Sequence, residues 1–452
     1  MQALQENKMG IRPIPSLVLT MSIPIMLSML VQALYNIVDS MFVSRYSQTA
    51  LTAVTLAFAL QNLLIAVSVG TSVGVNSLLS RKLGARDIKS ATKAAGNGLT
   101  LSVISYGFFA LFGLLFSKSF IGFFSNDPVL IKMGTQYITV CLVFSLGIFI
   151  DITCERILQG TGDTFHPMII QGTGAIINII LDPILIFGLL GFPRLGILGA
   201  AIATVIAQHV SAILAIYYVR KNKEIRMTRE SFVLERQTVK EIYAVGLPAI
   251  IMQAIGTILI STLNKILIGF GTAAVAVFGI YFRLQSFIFM PVFGLNTGMI
   301  PIIGYNYGAR NPKRITSTIK VGLVVSLSIM CIGFAIFLLF PHVLLSWFNA
   351  DAQMTAIGVV AMRRISLCFI SAGFCIVLMA LFQGTGDGYI SMIISVTRQL
   401  VFLIPSAYLL GRFVGLDALW FSFIIAETSS LALTILFFKR VYVNKIKPLY
   451  QE

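Results

Sequence analysis

Twelve apolar runs, each long enough to cross a bilayer as a helix, constrain this chain more than any other feature. A hydrocarbon core of about 30 Å takes ~20 apolar helical residues. Such runs lie near residues 16–43, 51–80, 94–117, 130–156, 166–190 and 196–219, then near 241–269, 273–307, 315–340, 354–382, 389–411 and 415–438. Numbered in order, they are spans one to twelve. Composition agrees, because 57% of the 452 residues are hydrophobic, only 11% are charged, and the mean hydropathy is +0.91. About a quarter of a soluble globular chain is charged, and this one has too few charges to clothe a fold in water. A soluble enzyme, a disordered chain and a peripheral protein are excluded. The first apolar run, Leu17 to Val43, is too long for a signal-peptide core and reads as a retained span.

Charge places the gaps between spans on two sides of the membrane. The 33 Lys and Arg against 17 Asp and Glu give a net charge of +16. In a soluble protein that excess would point to nucleic acid; here no nucleic-acid partner is expected. Basic residues crowd the gaps after span two (Arg81, Lys82, Arg86, Lys89, Lys93), span six (Arg220 to Lys240) and span eight (Arg310, Lys313, Arg314), and the tail. The gap after span one has Arg45 alone, and that after span seven has no base. The positive-inside rule then puts both termini in the cytoplasm, and an even span count agrees. The five cysteines, Cys141, Cys154, Cys331, Cys368 and Cys375, lie inside apolar runs with no ligand spacing. They read as small hydrophobes.

The two halves repeat. A shift of 224 positions carries Pro24 onto Pro248, Leu60-Gln61 onto Leu284-Gln285, and Gly70 and Gly74 onto Gly294 and Gly298. The same shift carries Gly84-Ala85-Arg86 onto Gly308-Ala309-Arg310, Phe124 and Asp127 onto Phe348 and Asp351, and the motif Gln159-Gly-Thr-Gly-Asp163 onto Gln383-Gly-Thr-Gly-Asp387. Each repeat holds an even number of spans, so both enter from the same side and are related by an axis along the membrane normal. The expected architecture is an all-α membrane protein with twelve transmembrane helices, arranged as two parallel six-helix lobes around a central cleft. The lobes are residues 1–219 and 241–452, joined by a solvated cytoplasmic linker, 220–240. Such a plan suits alternating access. The glycine pairs, four residues apart, predict close helix packing, and Gly-Ala-Arg predicts a helix stop at the cytoplasmic surface.

No GxxxxGK[ST], no HExxH and no recognisable Ser, His and Asp set occurs, and His166, His209 and His342 are scattered. An enzyme reading has nothing to rest on, no cofactor is expected, and uphill transport must draw on an ion gradient or a partner protein. Polar residues within the spans are therefore the candidates, since an ionisable group in lipid is costly unless paired or wet. Span one carries Gln32, Asn36 and Asp39 on one helix face, and span five carries Gln171, Asn178 and Asp182 on another. Asp39 and Asp182 fall in the outer half of the membrane, with Tyr137 of span four at similar depth. Two carboxyl groups at one level, flanked by Asn178 and Tyr137, can hold a proton or a sodium ion. Pro183 leaves the carbonyl of Ile179 without a helical donor, a further cation ligand. His209 reads as a satisfied interhelical histidine. The second half differs: its spans hold Lys265, Arg283, Arg398 and Glu427. There Glu427 is expected to pair with one of the bases as a structural lock, in preference to a network that senses movement. Asp151, Glu155 and Arg156, near the cytoplasmic end of span four, are expected to be solvated at the interface.

With these residues in view, the chain resembles the multidrug and toxic compound extrusion (MATE) family over essentially its whole length. The resemblance rests on the six-plus-six pattern, on Leu83-Gly-Ala-Arg86 and Tyr307-Gly-Ala-Arg310, on the doubled Gln-Gly-Thr-Gly-Asp, and on Asn178-Ile-Ile-Leu-Asp182-Pro183. It implies efflux of amphipathic organic cations in exchange for H+ or Na+. The family's cation-coupling positions fall on Asp39, Asn178, Asp182 and Tyr137, and its span-six threonine on Thr204. The stretches around Gly256 and Ala372 hold no acid, which resembles the DinF/MepA-like branch rather than the NorM-like one. Gln32, Asn36, Asp39 and Gln171 are expected to line the substrate cleft, and Na+ to fit Asp39, Asn178 and Asp182. A monomer in the bacterial cytoplasmic membrane is expected. A lipid-linked oligosaccharide flippase of related fold is the alternative, kept open by Lys265, Arg283 and Arg398. A membrane receptor or scaffold is disfavoured by the duplicated lobes and the acid pair.

Overall fold

The computed structural model describes residues 7–451. Regular structure among the described residues is helical, with no strand. Among the described residues ten helices are long and apolar enough to cross a membrane, and two bent helix pairs bring the number of crossings up to twelve when each pair counts as one span. Every apolar run of the sequence thus has its helix. The pairs were not foreseen. Span four breaks between Pro128–Val143 and Leu146–Gly160, span ten between Ala352–Ser366 and Phe369–Gly384, and each bends by 47°. Neither break contains proline. Instead a tighter turn replaces the α-helical register, with Ser145 N–H donating to the Leu142 carbonyl (3.2 Å) and Cys368 N–H to that of Ile365 (3.1 Å). The two breaks lie within one residue of the repeat shift.

The doubled motifs are helix stops. After span two, Arg86 adopts a left-handed φ of 59°, and Asp87 N–H reaches back to the Lys82 carbonyl at 2.9 Å. Gly-Ala-Arg thus closes its helix with a backbone bond pattern that satisfies otherwise orphaned carbonyls. Gly162 in the other motif has φ 97°, and Asp163 N–H bonds to the Leu158 carbonyl (2.9 Å). Asp387, its counterpart in the second copy, accepts from Lys445 at 2.7 Å.

The chain separates into two compact units: Leu27–Ile250 with Asn7, and Lys8–Met26 with the residues from Ile251 onward. These differ from the halves expected at 1–219 and 241–452. The first stretch of span one belongs with the second half, and the linker with the start of span seven belongs with the first. Both boundaries fall just after the equivalent prolines, Pro24 and Pro248. The glycine pairs explain the exchange. A Cβ on Gly74 would lie 2.1 Å from the carbonyl oxygen of Ile242, and one on Gly298 would lie 2.6 Å from Ser22 Oγ. Only residues without side chains admit these exchanged arms.

The linker is not solvated throughout, as expected from its charge. It carries a short helical turn, Arg229–Phe232, and buries Ser231. Fully buried Asn97 of span three holds it: its amide donates to the carbonyls of Ser231 (3.0 Å) and Val233 (2.9 Å), and its Oδ1 accepts from Glu235 N–H (2.9 Å). Buried backbone groups need such partners, and a polar side chain in the adjacent helix supplies them. Asn97→Ala should cost about 1–3 kcal/mol and expose residues 228–235 to limited proteolysis. An unchanged cleavage map would count against this clamp.

Candidate functional site

Spans five and six make the floor of the site because glycines let them approach. A Cβ on Gly174 would meet Ser211 Oγ at 2.3 Å, and one on Gly199 would meet the Leu185 carbonyl at 2.5 Å. On the buried face of span five, Asn178 and Asp182 lie one turn apart, while Ile176 and Ile180 are exposed on the other face. Asn178 Nδ2 reaches both Asp182 Oδ1 (3.3 Å) and Thr204 Oγ1 of span six (3.4 Å). The Asp39 and Asp182 carboxyl groups lie close enough to interact with each other. Two carboxyl groups meet in that way when they share a proton or when a cation sits between them. Asp39 Oδ1, Asp182 Oδ2 and Asn178 Oδ1 are buried acceptors with no protein donor. Tyr137 is buried close enough to feel both acids, and its hydroxyl accepts from Gln61 Nε2 at 3.4 Å. Asp39, Tyr137, Asn178, Asp182 and Thr204, from four separate spans, are thus brought together. Gln61 had not been singled out.

Beside this pair lies a cavity of about 100 Å³. Gln32 and Tyr35 of span one line it, with Asp151 and Glu155 of span four, Gln171 and Asn178 of span five, and Thr204, Gln208 and Ser211 of span six. No Lys, Arg or His is among its lining residues. Asn36, expected in the same row as Gln32, is exposed and absent from the lining; the row that faces the cavity passes through Tyr35 instead. Tyr35 is three residues from Gln32, a helical spacing that carried the signal.

Asp151 and Glu155 require a correction. They are not solvated at an interface, for Glu155 is only 3% exposed and its Oε2 accepts from Gln171 Nε2 at 2.9 Å. Arg156 is not left to solvent either, since its guanidinium donates to Gln159 Oε1 (2.8 Å). Nearness to the end of a span does not say which side chains pack inward, and spans two and six cover this stretch of span four. His209 is satisfied within its own helix, by the Val205 carbonyl (2.8 Å), rather than between helices.

In the second unit, Arg398 Nη1 lies 3.3 Å from Glu427 Oε2. Arg398 sits in a π-helical stretch, Thr397–Leu403, just ahead of Pro405, which offers no amide hydrogen to an α-helical ladder. Lys265 and Arg283 are exposed and do not join that pair. Among the described residues no group of three or more His, Cys, Asp or Glu side chains gathers to hold a metal. An ion at Asp39 and Asp182 would rely on two carboxyl groups and neutral oxygens.

Three comparisons bear on this geometry. The sequence model of the MatE family matches residues 24–184 and 248–409, once in each repeat. A protein of Thermotoga maritima named probable multidrug resistance protein NorM is 28% identical, with 92% of this chain and 90% of that protein covered. Multidrug export protein MepA of Staphylococcus haemolyticus is 26% identical over 90% of this chain and 89% of its own. Among solved structures, a multidrug resistance MATE family transporter of the MOP superfamily superposes with a TM-score of 0.91 at 27% identity, with all of both chains covered.

Proposed function

The chain belongs to the MatE family and is a multi-pass membrane transporter, and from that premise we propose that it is a secondary antiporter exporting amphipathic organic cations. It exchanges them for H+ or Na+ by alternating access, as a monomer in the bacterial cytoplasmic membrane with both termini inside. The observation that carries this reading is the pairing of half-buried Asp39 with buried Asp182, with Asn178, Thr204 and Tyr137 around them. A proton or sodium ion taken up there neutralises charge that is otherwise costly in the membrane, and its release restores that charge. Loading and unloading therefore change the electrostatic energy of the lobe, which is what coupling to a gradient requires. The neighbouring cavity supports cationic rather than anionic cargo, since acids and neutral polar groups line it without a base. The flippase reading loses support for the same reason. A pyrophosphate needs several bases, and Arg398 is already paired with Glu427.

The test is efflux of a cationic dye in everted membrane vesicles, with the proton and sodium gradients collapsed separately. Loss of transport with one gradient names the coupling ion. Dye movement that survives collapse of both would overturn antiport.

A further inference from the structure

The Asp39 and Asp182 pair does not use the acids on the other side of the cavity. Asp151 and Glu155 stand one helical turn apart on the same face of span four, where like charges repel. Burial makes their ionised forms costlier still. Glu155 is 97% buried, and one of its oxygens is bound by the Gln171 amide at 2.9 Å. Its other oxygen, Oε1, has no protein donor, and the same is true of Asp151 Oδ1 and Gln171 Oε1. Three buried acceptors from two spans thus belong to side chains that line one cavity.

The neighbouring helices do not supply the missing positive charge. Arg156, next to Glu155 in the chain, offsets part of its charge, but its guanidinium hydrogen-bonds to Gln159 rather than to either acid, and His209 of span six is bound to its own backbone. From spans two and three the contacts to this part of span four are neutral: Ser72 and Ser102 bond to Thr153, and Asn76 to the Arg156 carbonyl. The lining also lacks Cys, Met and His, so it offers oxygen and no soft donor. Oxygen-only donors suit hard cations. A cavity of about 100 Å³ has room for an ion with water around it.

We propose that Asp151 and Glu155, with Gln171, form a second cation site in the first unit, separate from the Asp39 and Asp182 pair, that takes a small hard cation of the Na+ or Ca2+ class. Asn178 borders both sites, through its hydrogen bond to Asp182 and its place in the cavity wall. The inference concerns binding and so stands apart from the proposed antiport.

Equilibrium dialysis of the purified full-length protein at pH 8 with 22Na+, and separately with 45Ca2+, tests it and distinguishes the two ions. Asp39→Asn removes a carboxylate of the first pair, so ion that remains bound reports the second site. That protein should keep one saturable equivalent of one isotope, and adding Glu155→Gln should weaken this binding at least tenfold. Asp151→Asn serves as an independent substitution should the first variant not fold. In the unmutated protein the bound ion should also raise the melting temperature, as any ligand of the native state does. No saturable equivalent of either isotope in Asp39→Asn, or one undiminished by the span-four substitutions, would overturn the second site.

Discussion

Asp39→Asn should cut gradient-driven dye efflux at least fivefold while leaving the protein folded. The amide is close in shape to the carboxyl group and can donate to Asp182, so the contact between spans one and five survives. What is lost is a group that can alternate between charged and neutral states. Coupling free energies of about 1–3 kcal/mol correspond to roughly 5- to 150-fold effects, and the loss of coupled transport should fall in that range. Asp182→Asn should match it. The double variant should be little worse than either, because the two groups act as one site and their effects do not add. Initial rates of dye efflux at matched protein levels give the measurement. A wild-type rate in Asp39→Asn would refute the assignment.

Gly74→Val is expected to have the largest effect on stability. Its Cβ would collide with backbone, the Ile242 carbonyl oxygen at 2.1 Å and its carbon at 2.9 Å, so no side chain can rotate away. Overpacking a core typically costs about 1–3 kcal/mol, and this backbone collision should reach or exceed the upper end. Gly107→Val is the matched control, because a Cβ there meets nothing within 4 Å. Melting midpoints in detergent should fall by several degrees for Gly74→Val and hold for Gly107→Val. Equal midpoints would mean that the start of span seven can move aside.

The spans were readable because a bilayer demands a run of apolar residues, and such a run survives any detail of packing. Asp39 and Asp182 were readable for the converse reason, since an acid inside such a run is costly and needs a role. Tyr137 came from its depth in span four, and Thr204 from resemblance; Thr204 Oγ1 lies 3.4 Å from Asn178 Nδ2. Asp151 and Glu155 were misplaced because nearness to a span end does not say which face is packed, and no proline marks the 47° bend that precedes them. The linker was misread because charge composition describes side chains. Its burial is instead a backbone matter, decided by Asn97 more than 130 residues away. The exchanged arms were also out of view, because the repeat shows which residues correspond and says nothing of which ones pack.

That exchange has a consequence for how the chain is made. Met9, Leu17 and Met21 are fully buried and share one apolar cluster with Leu295, Phe382 and Ile446. They precede almost all of the spans in chain order, whereas Ile446 follows the last of them. Through most of synthesis their apolar surface can be covered only by lipid or an insertion factor. A gene divided within the linker would yield two fragments, each lacking an arm that the other carries. Neither half can complete its core alone, and the two are expected to regain function only when produced together.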